Sequence, residues 1–207
     1  MAATVTLTTP TGKKAQATYR ALVDRTRAVI GENGSFSAEQ VAERASMSPA
    51  TFYTYFPSKD EALAAALNEV LDELVERTLA ECRVEQLLDH GLRVVLERVV
   101  DGCLEIFTAD AMVLRLAIAR LPDSKVIRHV YREHQKDAFE RLKRFIDLGA
   151  AAGRLSVEDR DGATTAFLVM LQGLNNPVVL NRDAHDPAVA HLVDALIHLL
   201  DPLHASA

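Results

Sequence analysis

Apolar residues recur at the three- and four-residue spacing of helices along nearly the whole chain. Over 13–32 the positions Tyr19, Leu22, Val23, Thr26, Val29 and Ile30 share one face, and GENG at 31–34 stops the pattern. Three helix starts then follow in quick succession. Ser37 with Gln40 three residues on forms a capping box, and Phe36 before it suits a staple onto Val41. Ser48 is a second N-cap, with Pro49 at the first helical position, where a missing N–H costs nothing. Met47 and Phe52 repeat the staple geometry. Ser58 with Glu61 is a third capping box and opens a helix to about Leu79. The short helices over 37–45 and 48–56, joined by ASMS, have helix-turn-helix proportions. Beyond them, helical patterns over 84–107, 110–121, 125–149, 159–181 and 187–200 are separated by FTAD, LPDSK, GAAAGRLSVEDRDG and NRDAHDP. No period-two apolar run between turn residues survives inspection. The predicted fold is all-α with about nine helices: an N-terminal three-helix unit carrying the helix-turn-helix, and a larger helical body.

Composition agrees with helices, since glycine and proline number only nine and seven in 207 residues. Charge adds an asymmetry. Residues 1–60 carry seven Lys/Arg (Lys13, Lys14, Arg20, Arg25, Arg27, Arg44, Lys59) against five acidic residues, leaving 16 against 24 in 61–207. A head at +2 on a body at −8 directs any polyanion to the head. Cys82 and Cys103 lack CxxC or zinc spacing and read as reduced thiols. The opening MAATVTLTTPTGKK has no charged n-region or apolar core, and no apolar run approaches a membrane span. A cytoplasmic protein with no membrane partner is expected. Enzyme signatures (P-loop, GxGxxG, G-x-S-x-G, HExxH, the Glu-x-x-His of di-iron bundles) are not found, so neither catalysis nor a cofactor or metal is expected.

The stretch SPATFYTYFPSKDEAL concentrates Phe52, Tyr53, Tyr55 and Phe56 within five positions, although the chain has only eleven aromatic residues. At about 100° per residue, Phe52 and Phe56 share a face and point inward with Val41 and Met47. Ala50, Thr51 and Thr54 fall outward, flanked by the two phenols, with Lys59 at the start of the next helix. Small residues let a backbone approach a major groove, hydroxyls reach bases or phosphates, and phenols and a lysine grip the flanking backbone. A small helical hairpin whose tyrosines cover a core edge fits the same pattern.

FSAEQVAERASMSPATFYTYFPSKDEAL resembles the helix-turn-helix of TetR-family transcriptional regulators. Val41-Ala42, Ala45, Ser48, Thr51, Tyr53, Tyr55-Phe56, Ser58-Lys59 and Leu63 stand in register with the family pattern. The strong match spans about residues 13–63. Three positions depart from it: Ser46 replaces the turn glycine, Ala50 the glycine before Thr51, and Phe52 a leucine. Ser46 implies either a turn without left-handed geometry or a serine that tolerates it. Ala50 adds a methyl at the closest approach to DNA, where a thymine methyl would meet it. Glu39 stands where some relatives carry a basic residue, and capping the helix dipole is its expected role.

The resemblance implies a flexible tail over 1–12, a DNA-binding domain over 13–60 with its motif at about 37–56, and an effector-binding and dimerisation domain over 61–207. It implies Thr51, Tyr53, Tyr55 and Lys59 at phosphates, Ser37 and Ser48 as N-caps near the backbone, and Pro49, Ala50 and Thr54 toward bases. It implies a homodimer through 159–181 and 187–200 on a palindromic operator. A small, largely apolar effector is expected among Leu96, Cys103, Phe107, Met112, Leu116 and Val130, oriented by Arg115, Arg120, His134, Gln172 or Asn175. Ligand would favour the form whose heads are wrongly spaced for the operator, releasing a repressor. Two alternatives stay open: a dimeric DNA-binding factor without small-molecule effector, and, further off, a helical enzyme.

Overall fold

The computed structural model describes residues 10–201. Among these residues there are nine helices and no strand: α1 (Lys13–Asn33), α2 (Ala38–Arg44), α3 (Pro49–Tyr55), α4 (Lys59–Glu81), α5 (Val84–Ala109), α6 (Ala111–Arg120), α7 (Lys125–Ala151), α8 (Arg160–Gly173) and α9 (Pro187–Leu200). Residues 1–9 of the expected tail lie outside the described range. No helix is long and apolar enough to cross a membrane among the described residues.

The chain forms two compact units. One holds the residues up to Leu71 together with Ala109–Glu133; the other holds Asp72–Thr108 and the residues from His134 onward. The compact units therefore do not divide at residue 60. α6, which the sequence pattern assigns to the body, packs against α1 in the first unit.

In the first unit, α1 buries Leu22, Val23, Thr26, Val29 and Ile30. The Thr26 hydroxyl is satisfied internally, donating to the Leu22 carbonyl at 2.8 Å. GENG does not stop this helix at its first glycine. The helix continues to Asn33 and ends at Gly34, whose φ of 70° closes a left-handed cap with its N–H on the Ile30 carbonyl. A Cβ on Gly34 would stand 2.8 Å from Met112 Cε, the movable end of a flexible side chain, so it is the left-handed φ rather than the space that favours glycine there. Ser37 and Gln40 form the expected reciprocal capping box on α2. Ser48 accepts from the Thr51 N–H at 3.2 Å to start α3, and Ser58 accepts from the Glu61 N–H at 3.3 Å to start α4.

The turn between α2 and α3 decides between the two options left for Ser46. Its φ is 55°, in the left-handed region. The Ser46 N–H donates to Glu43 and the Met47 N–H to Ala42, at 2.9 and 2.8 Å. Those two bonds define a Schellman motif, whose left-handed position normally holds glycine. A serine there is strained against its own backbone. Ser46→Gly is expected to raise stability by about 1 kcal/mol in urea unfolding.

The second unit departs from the sequence pattern in two places. α5 is broken at Gly91, where φ 80° and ψ 165° interrupt the helical dihedrals. α8 ends at Gly173 rather than running to 181. Pro177 cannot donate to the Gly173 carbonyl, and its ring would clash with it in a continuing helix. The chain instead tightens into three-residue turns, with Leu174, Asn175 and Asn176 N–H groups donating to Leu171, Gln172 and Gly173. Asn175–Pro177 thus lies in the turns that follow the end of α8. The segment that follows is tied back to α5 by Asn181 N–H on the Thr108 hydroxyl at 3.1 Å and Ala184 N–H on Asp101 at 2.6 Å. α9 starts cleanly, with Asp186 accepting from Ala188 N–H and Pro187 in the first turn, and packs on α8. Both cysteines are buried and free. Burial, then the charge of Glu81, pushes the Cys82 thiol up to about 12, and burial then Cys82 raises Cys103 further. Both stay protonated and inert at neutral pH.

Candidate nucleic-acid interface

The aromatic cluster divides as its helical phase predicts. Phe52 and Phe56 are buried, at 0% and 1% exposure, with ring centroids 5.5 Å apart. Tyr19 of α1 stacks at a tilt on Phe56 at 5.2 Å, joining α1 to the end of α3. Burial, then the Glu69 charge, raises the Tyr19 phenol and keeps it neutral. Tyr53 stands edge-on to Phe52 at 5.4 Å yet is 49% exposed, and Tyr55 is half-buried. The phenylalanines hold a seven-residue helix that could not persist alone. The tyrosines flank its outer face.

That face is Pro49, Ala50 and Thr54, all exposed, with Thr51 half-buried beside them. It bears no charge. The Thr51 hydroxyl lies 3.0 Å from Ser48 Oγ, and the Thr54 hydroxyl donates to the Ala50 carbonyl at 2.9 Å. Lys59 is exposed, with its ammonium 5.0 Å from the Phe36 ring centroid, a position that steadies the side chain by cation–π attraction. Glu39 is held below the ordinary carboxylate range first by its own backbone N–H and then by Ser37, which fits helix-end capping. Arg44 is not free for phosphate, because it grips Glu32 with both terminal nitrogens at 2.6 and 2.5 Å.

The candidates for an effector site separate into several environments. Leu96, Cys103 and Phe107 lie together on the buried face of α5. His134 meets Asp72 at 2.9 Å, and Gln172 is exposed. Asn175 stands in the turn after α8, with its Oδ1 buried and without a hydrogen-bond partner among the described residues. In the first unit, Val130 is buried and Leu116 half-buried, Met112 abuts Gly34, and exposed Arg115 reaches back toward the Met112 sulfur at 3.9 Å. Arg120 is committed to Asp60, its Nε and Nη2 donating at 3.2 and 3.1 Å. Gln172, Arg115 and Arg120 are therefore surface groups.

One pair has no signature in the sequence. Arg27 on α1 donates from Nε and Nη2 to the two oxygens of Asp110, each at 2.5 Å, and the Asp110 side chain is only 5% exposed. Asp110 precedes α6 but makes no capping bond with its side chain. An aspartate at a helix start reads as a cap, and nothing in local spacing points 83 residues back to its partner.

Fold and surface together define a helical protein with a helix-turn-helix whose recognition helix is small, uncharged outward and flanked by phenols. Residues 22–66 match the model of bacterial regulatory proteins of the tetR family, and 94–198 match the C-terminal domain of AefR-like transcriptional repressors. The chain belongs to the TetR family of transcriptional regulators. Among solved structures it is similar to a TetR transcription regulator from Haloarcula marismortui (17% identity, TM-score 0.70, covering 88% of this chain and 96% of that one). It is also similar to Salmonella enterica GusR (22%, 0.71, 89% and 96%) and to a Saccharomonospora viridis protein solved in complex with choline (20%, 0.65, 87% and 93%). At these identities the likeness is one of fold. No curated protein matches the chain.

Proposed function

We propose that this DNA-binding regulator is a homodimeric repressor, released from a palindromic operator by a small, largely apolar effector. The observation that carries the DNA-binding part is the outer face of α3: Pro49, Ala50 and Thr54 exposed between Tyr53 and Tyr55, over a core closed by Phe52 and Phe56. Thr51, Tyr53, Tyr55 and Lys59 take the phosphates, and Ser37 and Ser48 fix the helix starts beside the backbone. Residues 13–60 are the reading head, and 61–207 receive the effector and the second copy in a cytoplasmic protein.

Dimerisation uses α8 and α9. Val169 on α8 is 61% exposed and Val178 just beyond it 68%, large apolar surface that a second copy would cover. The aliphatic lining of α5 around Leu96, Cys103 and Phe107 favours an apolar ligand class, and a structural neighbour solved with choline supports a small-molecule effector. A second reading, a dimeric factor without an effector, draws on the same residues: at 0%, 2% and 4% exposure they are already covered by the protein.

The test is fluorescence anisotropy on duplex DNA from upstream of the gene across a salt series. Affinity is expected to fall linearly on log–log axes. Lys59→Ala is expected to lower that slope by about 1, as removal of a single phosphate-neutralising cation should, and Tyr53→Ala to weaken binding. Binding that ignores salt and both substitutions contradicts the DNA-reading head. Apolar metabolites added to the bound complex separate the two readings, since only an effector-controlled repressor is displaced.

A further inference from the structure

Base reading by α3 is constrained by what the helix does not offer outward. From Pro49 to Tyr55 it carries no charged side chain and no carboxamide. The bidentate forks that read purines, Arg or Lys on guanine and Asn or Gln on adenine, are absent from it. Its threonine hydroxyls are engaged locally. Thr54 Oγ1 donates to the Ala50 carbonyl at 2.9 Å, and Ser48 Oγ stands against both the Thr51 hydroxyl and the Thr51 N–H at 3.0 and 3.2 Å. The neighbouring α2 adds little, since Gln40 spends its carbonyl oxygen on the Ser37 N–H at 2.8 Å and Arg44 is held by Glu32. What is exposed on α3 is Pro49, Ala50 and Thr54, with Tyr53 beside them, and none of the first three offers a fork of donors and acceptors.

The apolar group that standard base pairs present in the major groove is the thymine C5-methyl. We infer that the protein recognises its operator through thymine methyls packed on Ala50, Pro49 and the Thr54 methyl, a reading that rests on the DNA-binding function proposed above. The Thr54 hydroxyl serves the helix and its methyl serves the base. Specificity at each such position is the burial of one methyl, so it is modest per base pair and accumulates over two half-sites. Removing one methyl is expected to weaken binding about fourfold.

The experiment starts with the operator that the full-length protein selects from a random duplex pool. Each thymine is then replaced in turn by deoxyuridine, which deletes only the C5-methyl. At least one position in each half-site is expected to lose about fourfold in affinity. The penalty is then measured as the thymine-to-uracil affinity ratio for Thr54→Ser, which keeps the hydroxyl and drops the methyl, and for Thr54→Val, which does the reverse. One position is expected to lose its penalty in Thr54→Ser and to keep it in Thr54→Val, and urea unfolding confirms that both variants are folded. Uracil substitutions that are silent throughout a selected operator overturn this inference alone. A penalty that survives Thr54→Ser and vanishes in Thr54→Val also overturns it, assigning base reading to the hydroxyl. A pool that yields no operator overturns the DNA-binding reading and this inference with it.

Discussion

Phe52→Ala is expected to unfold the helix-turn-helix, costing about 3–5 kcal/mol and abolishing DNA binding with it. Phe52 is fully buried, and its ring packs near Tyr53 on α3 and Phe56 at the helix C-cap, with centroids 5.4 and 5.5 Å away. α3 has seven residues, too few to be helical without tertiary packing. Removing the ring leaves a cavity in the buried core under α3, a helix that packs directly against α2. The measurement is urea unfolding followed by circular dichroism, alongside binding to the selected operator. Tyr53→Ala provides the contrast. With that side chain half in solvent, stability is expected to change little while DNA binding falls. If Phe52→Ala retains wild-type stability, the mini-core account of the aromatic cluster is wrong.

The second large effect is expected at Arg27. Arg27→Leu removes the guanidinium that meets both oxygens of Asp110, a carboxylate with 5% exposure. Breaking a buried pair from one side typically costs about 3–5 kcal/mol, because the remaining charge has been taken out of water without its partner. The Asp110 side chain makes no capping bond, so its loss deprives α6 of no N-cap interaction. The double variant Arg27→Leu/Asp110→Leu is therefore expected to recover much of the stability, read by the same urea titration. Arg120→Ala breaks the exposed pair with Asp60, and only a small change is expected there. Equal losses from Arg27→Leu and Arg120→Ala would show that burial does not set the value of these pairs.

Much of this architecture was legible because capping chemistry is local. Ser37–Gln40, Ser48–Pro49 and Ser58–Glu61 mark three helix starts with residues no more than three apart, and all three helices begin there. The inward and outward faces of α3 followed from phase alone. What was not legible involved competition or distance. Val178, Val179 and Leu180 prolong the apolar pattern past Pro177, so periodicity carried α8 to 181, while the proline's missing donor ended it at Gly173. Glycines mislead in the other direction. Gly31 sits unremarkably inside α1, whereas Gly91 interrupts α5, and the sequence does not say which dihedrals a glycine will take. Ser46 allowed two turn geometries, and only its φ of 55° chose between them. Arg27–Asp110 and Arg120–Asp60 join residues 83 and 60 apart, beyond any spacing rule. Two polar residues read from the sequence as able to orient an effector, Arg120 and His134, meet partners of this distant kind in Asp60 and Asp72.

The most direct test of the account is footprinting of the full-length protein on the duplex it selects from a random pool. The expected result is protection of a two-fold symmetric site, with half-sites one helical turn or more apart and each covered by one α3. Failure to select any sequence, with only weak binding spread evenly over all duplexes, would contradict it.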